Sequence, residues 1–139
     1  MIGRVPEKAG EKKARILMID DEEDLCLSVR ANLQEVGGYE VLIATDGRMG
    51  LEVARAEQPD LILLDVRMPG GMDGLEVLKR LKENHHTLGI PVLMLTAKQD
   101  EKTKAEAAFL YDDDYIEKPV STQVLQSRIE KALSKRGRL

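Results

Sequence analysis

Five short apolar runs recur along the chain, and each is followed by a stretch whose apolar residues fall at helical spacing. The runs are "RILMI" (15–19), "YEVLIA" (39–44), "LILL" (61–64), "PVLML" (91–95) and the brief "YI" (115–116). Most are continuous instead of alternating, the pattern of strands covered on both faces. Between the runs, Leu25, Val29, Leu33 and Val36 share one helical face, and Gly37-Gly38 closes that helix. Asp46 caps a second helix that stops before Pro59. Leu75, Leu78 and Leu81 mark a third, and Val124, Leu125, Ile129 and Ala132 mark a fifth. The fourth, near 99–110, offers mainly Ala105, Ala107 and Ala108 to the interior. At about 25 cal/mol per Å² such small side chains gain little by burial, so this helix is predicted to be the least firmly docked.

Strands alternating with helices predict an α/β fold, a five-stranded parallel sheet doubly wound with helices on both faces. Crossover handedness restricts its topology. In the flavodoxin-like order 2-1-3-4-5, strands one and three are neighbours, and ligands bind beyond the carboxyl ends of the strands. At those ends the chain places acids and hydrogen-bonding groups. Asp20-Asp21 follows strand one with Glu22 and Glu23 behind, Asp65 follows strand three, Thr96 ends strand four, and Lys118-Pro119 follows strand five.

Each residue alone has an ordinary explanation. Asp in a turn bonds nearby amides, and acids suit a helix N-terminus. Four acids in a row exceed what a cap needs, however, and carboxylates about 5 Å apart repel by roughly 3 kcal/mol at an effective dielectric near 20. An all-oxygen cluster of this kind suits a hard divalent cation, Mg²⁺ above all. Asp65 is then a candidate nucleophile able to form an acyl phosphate. Lys118 can supply positive charge to incoming phosphoryl oxygens, and the Thr96 hydroxyl can donate to them.

Composition narrows the classes without changing this picture. The 139 residues fit one domain, and 42% hydrophobic with 33% charged residues is the balance of a folded globular chain. A net charge of −4 argues against a broad nucleic-acid footprint. No apolar run approaches a membrane span, and "MIGRVPEKAGEKK" lacks the apolar region of a secretory signal. Residues 1–13 read as a charged flexible tail, with the domain at 14–136. The single cysteine, Cys26, excludes an internal disulfide and favours a reducing compartment, so a cytoplasmic location is expected.

The segments "ILMIDDEED", "DLILLDVRMPGGMDGLEVL", "IPVLMLTAK" and "DDYIEKP" together resemble a response-regulator receiver domain, the phosphoacceptor module of two-component signalling. The resemblance spans about residues 15–135. It implies that Asp65 accepts a phosphoryl group from a phosphohistidine of a sensor histidine kinase or phosphotransfer protein. It further implies that Asp20, Asp21, Asp65 and the Arg67 backbone carbonyl hold Mg²⁺, with Mn²⁺ as a substitute. Lys118 would pair with the phosphoryl group beside a cis bond to Pro119. Thr96 and Tyr115 would switch the face of the fourth predicted helix, strand five and the fifth helix for a downstream protein or a phosphorylation-dependent homodimer. Arg67 and Lys98, two residues after Asp65 and Thr96, flank the phosphoryl group and would set its lifetime.

Two departures from the family pattern stand out: an additional glycine at Gly70 or Gly71, and Leu110-Tyr111-Asp112 where Ala-Gly-Ala is common. Other readings are a receiver used only as a scaffold, a phosphatase of haloacid-dehalogenase type, and an FMN-binding flavodoxin. The second expects another Asp two residues after the nucleophile, where Arg67 stands. The third expects hydroxyls after strand one, where "DDEED" stands. His85-His86 reads as a polar loop, and Cys26 as a helical residue off the main apolar face.

Overall fold

The first apolar run forms β1 (Arg15–Ile19) in a computed structural model of the protein, whose described residues are 13–97 and 114–135. It is followed by α1 (Glu23–Gly37), β2 (Glu40–Ala44), α2 (Gly47–Glu57), β3 (Leu61–Asp65), α3 (Gly74–Glu83), β4 (Val92–Thr96), β5 (Asp114–Glu117) and α4 (Thr122–Lys135). The last of these is the fifth helix of the sequence pattern; the fourth, at 99–110, lies outside the described residues, as do Lys98 and the 110–112 segment. All strand pairs are parallel, and the order is β2-β1-β3-β4-β5. This is the flavodoxin-like α/β fold that the alternation predicts.

Alternate residues of the central strands feed two separate cores. Leu17, Ile19, Ile62, Leu64, Val92 and Met94 pack with α2 and α3. Ile16, Met18, Leu61, Leu63, Leu93 and Leu95 pack with α1 and α4. Every residue of β3 is buried, which explains why its sequence is continuously apolar up to Asp65. At the opposite end, Arg15 ties the strand starts together. Its backbone N–H donates to Asp60 Oδ2 (2.8 Å), and its guanidinium bonds Glu57 Oε1 (2.6 Å) and pairs with Glu40 (3.4 Å).

Helix boundaries follow local chemistry. Gly38 adopts a left-handed φ of 65° and its N–H donates to the Gln34 carbonyl, closing α1. The Asp46 carboxylate accepts from the Met49 N–H (2.8 Å) and caps α2. Two details differ from the pattern read in the sequence. Cys26 is fully buried in the α1–α4 core, so the inward stripe of α1 is rotated towards it and leaves Val36 47% exposed. Cysteine acts here as a small hydrophobe. On α4 the inward stripe is Leu125, Ile129 and Leu133 at four-residue spacing, which leaves Val124 one position off it and exposed.

Candidate functional site

Register assembles the site. Ile19 lies opposite Leu64, so the next rung sets Asp20 beside Asp65. Asp65 lies opposite Leu95, so Thr96 is one rung further. Thr96 lies opposite Glu117, and the following residue, Lys118, donates its backbone N–H to the Thr96 carbonyl at 2.6 Å. Three acids, a hydroxyl and an ammonium are thereby drawn to one rim from chain segments far apart.

Turn chemistry accounts for half of each buried acid. Asp20 Oδ1 accepts from the Glu22 N–H (2.9 Å), and Asp65 Oδ1 accepts from the Arg67 N–H (3.3 Å). The remaining Asp20 oxygen, Oδ2, is buried without an aligned hydrogen bond among the described residues, and Lys118 Nζ stands 3.0 Å away as its counter-ion. That ammonium also contacts Glu22 Oε1 at 2.9 Å and Asp65 Oδ1 at 3.4 Å. Thr96 is buried, and its Oγ1 has no hydrogen-bond partner among the described residues. A buried hydroxyl in that condition costs free energy unless something accepts its proton.

The electrostatics match the crowding. Burial, and then the charge of Asp20, push the Asp65 carboxyl up to about 7 against the pull of Lys118. Burial pulls the Lys118 ammonium down, but its bonds to Glu22 and Asp20 outweigh this and raise it. One oxygen each from Asp20, Asp21 and Asp65 lies within 4.8 Å of the others, an arrangement that can hold a metal ion. The donors are all oxygen, and the Asp20 Oδ2 among them is buried with only the Lys118 ammonium as counter-ion, so they fit a hard dication.

Other sequence candidates lie around this centre. Arg67 is exposed just beyond Asp65. Tyr115 is 38% exposed on β5, with its N–H donating to Asp114 Oδ1 (2.9 Å) and its carbonyl accepting from Arg128 (3.0 Å). The Lys118–Pro119 bond is cis. Gly70 and Gly71 have φ of 83° and 143°, so the additional glycine is spent on a turn that other residues adopt poorly. The His85 and His86 rings sit 4.1 Å apart, and among the described residues they join no cluster able to hold a metal.

Two residues with a place here were not singled out by the sequence. Glu22 contacts Lys118 through its side chain. Gly74 begins α3 directly against the end of β3, its N–H donating to the Val66 carbonyl (2.9 Å). A Cβ there would collide with the Asp65 carbonyl oxygen and stand 2.7 Å from Val66 Cα. A glycine directly after a helix-capping Asp73 was the available signal.

The family profile of the response regulator receiver domain matches residues 16–130. The chain belongs to this receiver family. The alkaline phosphatase synthesis transcriptional regulatory protein PhoP of Bacillus subtilis is 42% identical to the receiver domain over 125 residues, covering 90% of this chain and 50% of that protein. The phosphate regulon transcriptional regulatory protein PhoB of Pseudomonas aeruginosa is 39% identical over 122 residues, 88% of this chain and 52% of that protein. The chain spans about half the length of these curated relatives. Among solved structures, the Vibrio cholerae chemotaxis protein CheY4 superposes with a TM-score of 0.80 at 30% identity, covering 87% of this chain and 99% of that one. The receiver domain is thus a module of two-component signalling, and the scaffold and dehalogenase readings are not favoured. Phosphorylation and Mg²⁺ are typical of such domains. Among the described residues no helix is long and apolar enough to cross a membrane.

Proposed function

We propose that Asp65 is the phosphoacceptor of a receiver domain spanning residues 14–136. A carboxylate oxygen of Asp65 attacks phosphorus of a phosphohistidine, the P–N bond breaks, and its electron pair goes to the departing ring nitrogen, which takes up a proton from solvent so that neutral imidazole leaves. Lys118 holds negative charge developing on the phosphoryl oxygens, and the Thr96 hydroxyl donates to one of them. Asp20, Asp21, Asp65 and the Arg67 carbonyl would hold Mg²⁺ or Mn²⁺. The ion would supply charge neutralisation for carboxylate and phosphoryl oxygens together. Water attack on phosphorus later breaks the P–O bond and restores the carboxylate, so the domain catalyses only its own modification and its reversal.

The observation carrying this reading is the bridge made by one ammonium across Asp20 and Asp65 beside a buried hydroxyl that has no hydrogen-bond partner among the described residues. Thr96 and Tyr115 then report the phosphoryl group to the face of residues 99–110, β5 and α4, where a downstream protein or a second copy docks. A histidine kinase or phosphotransfer protein supplies the group in the cytoplasm. Arg67 and Lys98 shield the acyl phosphate and set its lifetime. Incubation with acetyl phosphate and Mg²⁺, followed by mass, tests the chemistry: one phosphoryl adduct is expected, absent in Asp65→Asn and with EDTA. No adduct on the wild-type domain would overturn the proposal.

A further inference from the structure

Lys118 has two kinds of carboxylate partner. Asp20 and Asp65 are buried, whereas the Glu22 side chain is 61% exposed. Glu22 nonetheless makes the shortest of the three contacts, 2.9 Å against 3.0 and 3.4 Å. Its backbone position adds a second observation. Glu22 is the N-cap of α1, a site where Asp, Asn, Ser or Thr would bond the first free amides. Its side chain makes no capping bond and goes to Lys118 instead.

We propose that Glu22 is a positioning residue, a removable latch that holds the Lys118 ammonium in the unmodified domain and competes with the phosphoryl group for it. This rests on Asp65 being the phosphoacceptor. Once Asp65 carries a phosphoryl group, Lys118 has the phosphoryl oxygens and the fixed Asp20 as partners, and Glu22 is surplus. Being exposed, Glu22 can swing into water without burying its charge, which neither Asp20 nor Asp65 can do. The latch thereby lowers the resting reactivity of the site towards donors and favours return to the unmodified state.

The test compares wild type, Glu22→Gln and Glu23→Gln with acetyl phosphate and Mg²⁺. In each, an Asp65 oxygen bonds phosphorus, the bond from phosphorus to the acetate oxygen breaks, and acetate leaves with the electron pair. Glu23→Gln removes the same charge one residue along, from an exposed first-turn acid. Glu22→Gln should accelerate adduct formation and lengthen its lifetime, the two effects together amounting to about threefold to fivefold, the scale of one exposed ion pair, with little change in Glu23→Gln. The gain should persist at high salt, because contact within a half-buried cluster is screened less than repulsion of the donor across solvent. Glu22→Gln should also bind the unreactive mimic beryllium fluoride more tightly with Mg²⁺, read by NMR titration without turnover. Equal gains in both variants, or no gain or a loss in Glu22→Gln, would overturn the latch and leave the phosphoacceptor reading intact. A wild-type domain that takes no adduct would overturn both.

Discussion

In the metal-free domain, replacing Asp65 by Asn should stabilise the fold at neutral pH and above, although it destroys the proposed phosphoacceptor. The side chain keeps its size and loses its charge, in a place where the cluster's carboxylate oxygens lie within 4.8 Å of one another. A pair at that separation repels by roughly 3 kcal/mol at an effective dielectric near 20, and Lys118 offsets part of this. Burial and Asp20 together raise the Asp65 carboxyl to about 7 from the ordinary 3.8. At about 1.4 kcal/mol per unit, keeping it ionised costs the folded state on the order of 4 kcal/mol. Because the folded value is the raised one, the folded domain binds more protons than the unfolded chain between about pH 4 and 7. The wild type therefore loses stability as pH rises through that window, and the penalty is complete above it. Urea unfolding in EDTA at several pH values gives the difference directly. Asp65→Asn should match wild type near pH 4 and exceed it by about 1–4 kcal/mol at pH 8, the lower figure allowing for the lost contact with Lys118. Excess Mg²⁺ should shrink or reverse the gap, because an ion bound only by the folded wild type stabilises it by mass action. A gap that is absent at pH 8, or constant with pH, would refute the electrostatic account.

One further substitution and one chemical probe follow from the same geometry. Gly74→Ala drives a methyl group into the Asp65 carbonyl and Val66 Cα, so it should cost about 1–3 kcal/mol in urea unfolding and slow acetyl-phosphate labelling as well. Wild-type stability with normal labelling would show that α3 can shift freely. Cys26 is buried, its thiol donates to the Asp20 carbonyl (3.4 Å), and burial followed by the Asp20 charge pushes it up to about 12. A maleimide should therefore label it at pH 8 only in denaturant, and rapid labelling of the native domain would contradict the burial.

The fold was legible because strand and helix periods alternate cleanly and the central strand is apolar at every position until Asp65. The rim was legible for the same reason: once the strand order is set, residues at strand ends must be neighbours. Side-chain geometry was not. The sequence places Glu22 among four acids, yet only coordinates distinguish the one that reaches Lys118 from Glu23, which does not share that contact. Cys26 was read by its chemistry, and its volume and hydrophobicity decided its place. Val36 follows the apolar spacing of α1, but rotation of the stripe towards Cys26 leaves it half in water.

Glu22 and Lys118 meet across 96 positions of sequence, and Arg15 and Asp60 across 45. Contacts of such separation close large loops, so they form late relative to local structure. No short fragment contains Asp20, Asp65, Thr96 and Lys118 together. A nascent chain that has emerged only through β4 carries Asp65 and the neighbouring Asp20 and Asp21, but lacks the Lys118 ammonium that balances them. Competence to receive a phosphoryl group should then report that the fifth strand has been added, and a kinase meeting a partly synthesised receiver would find no working site.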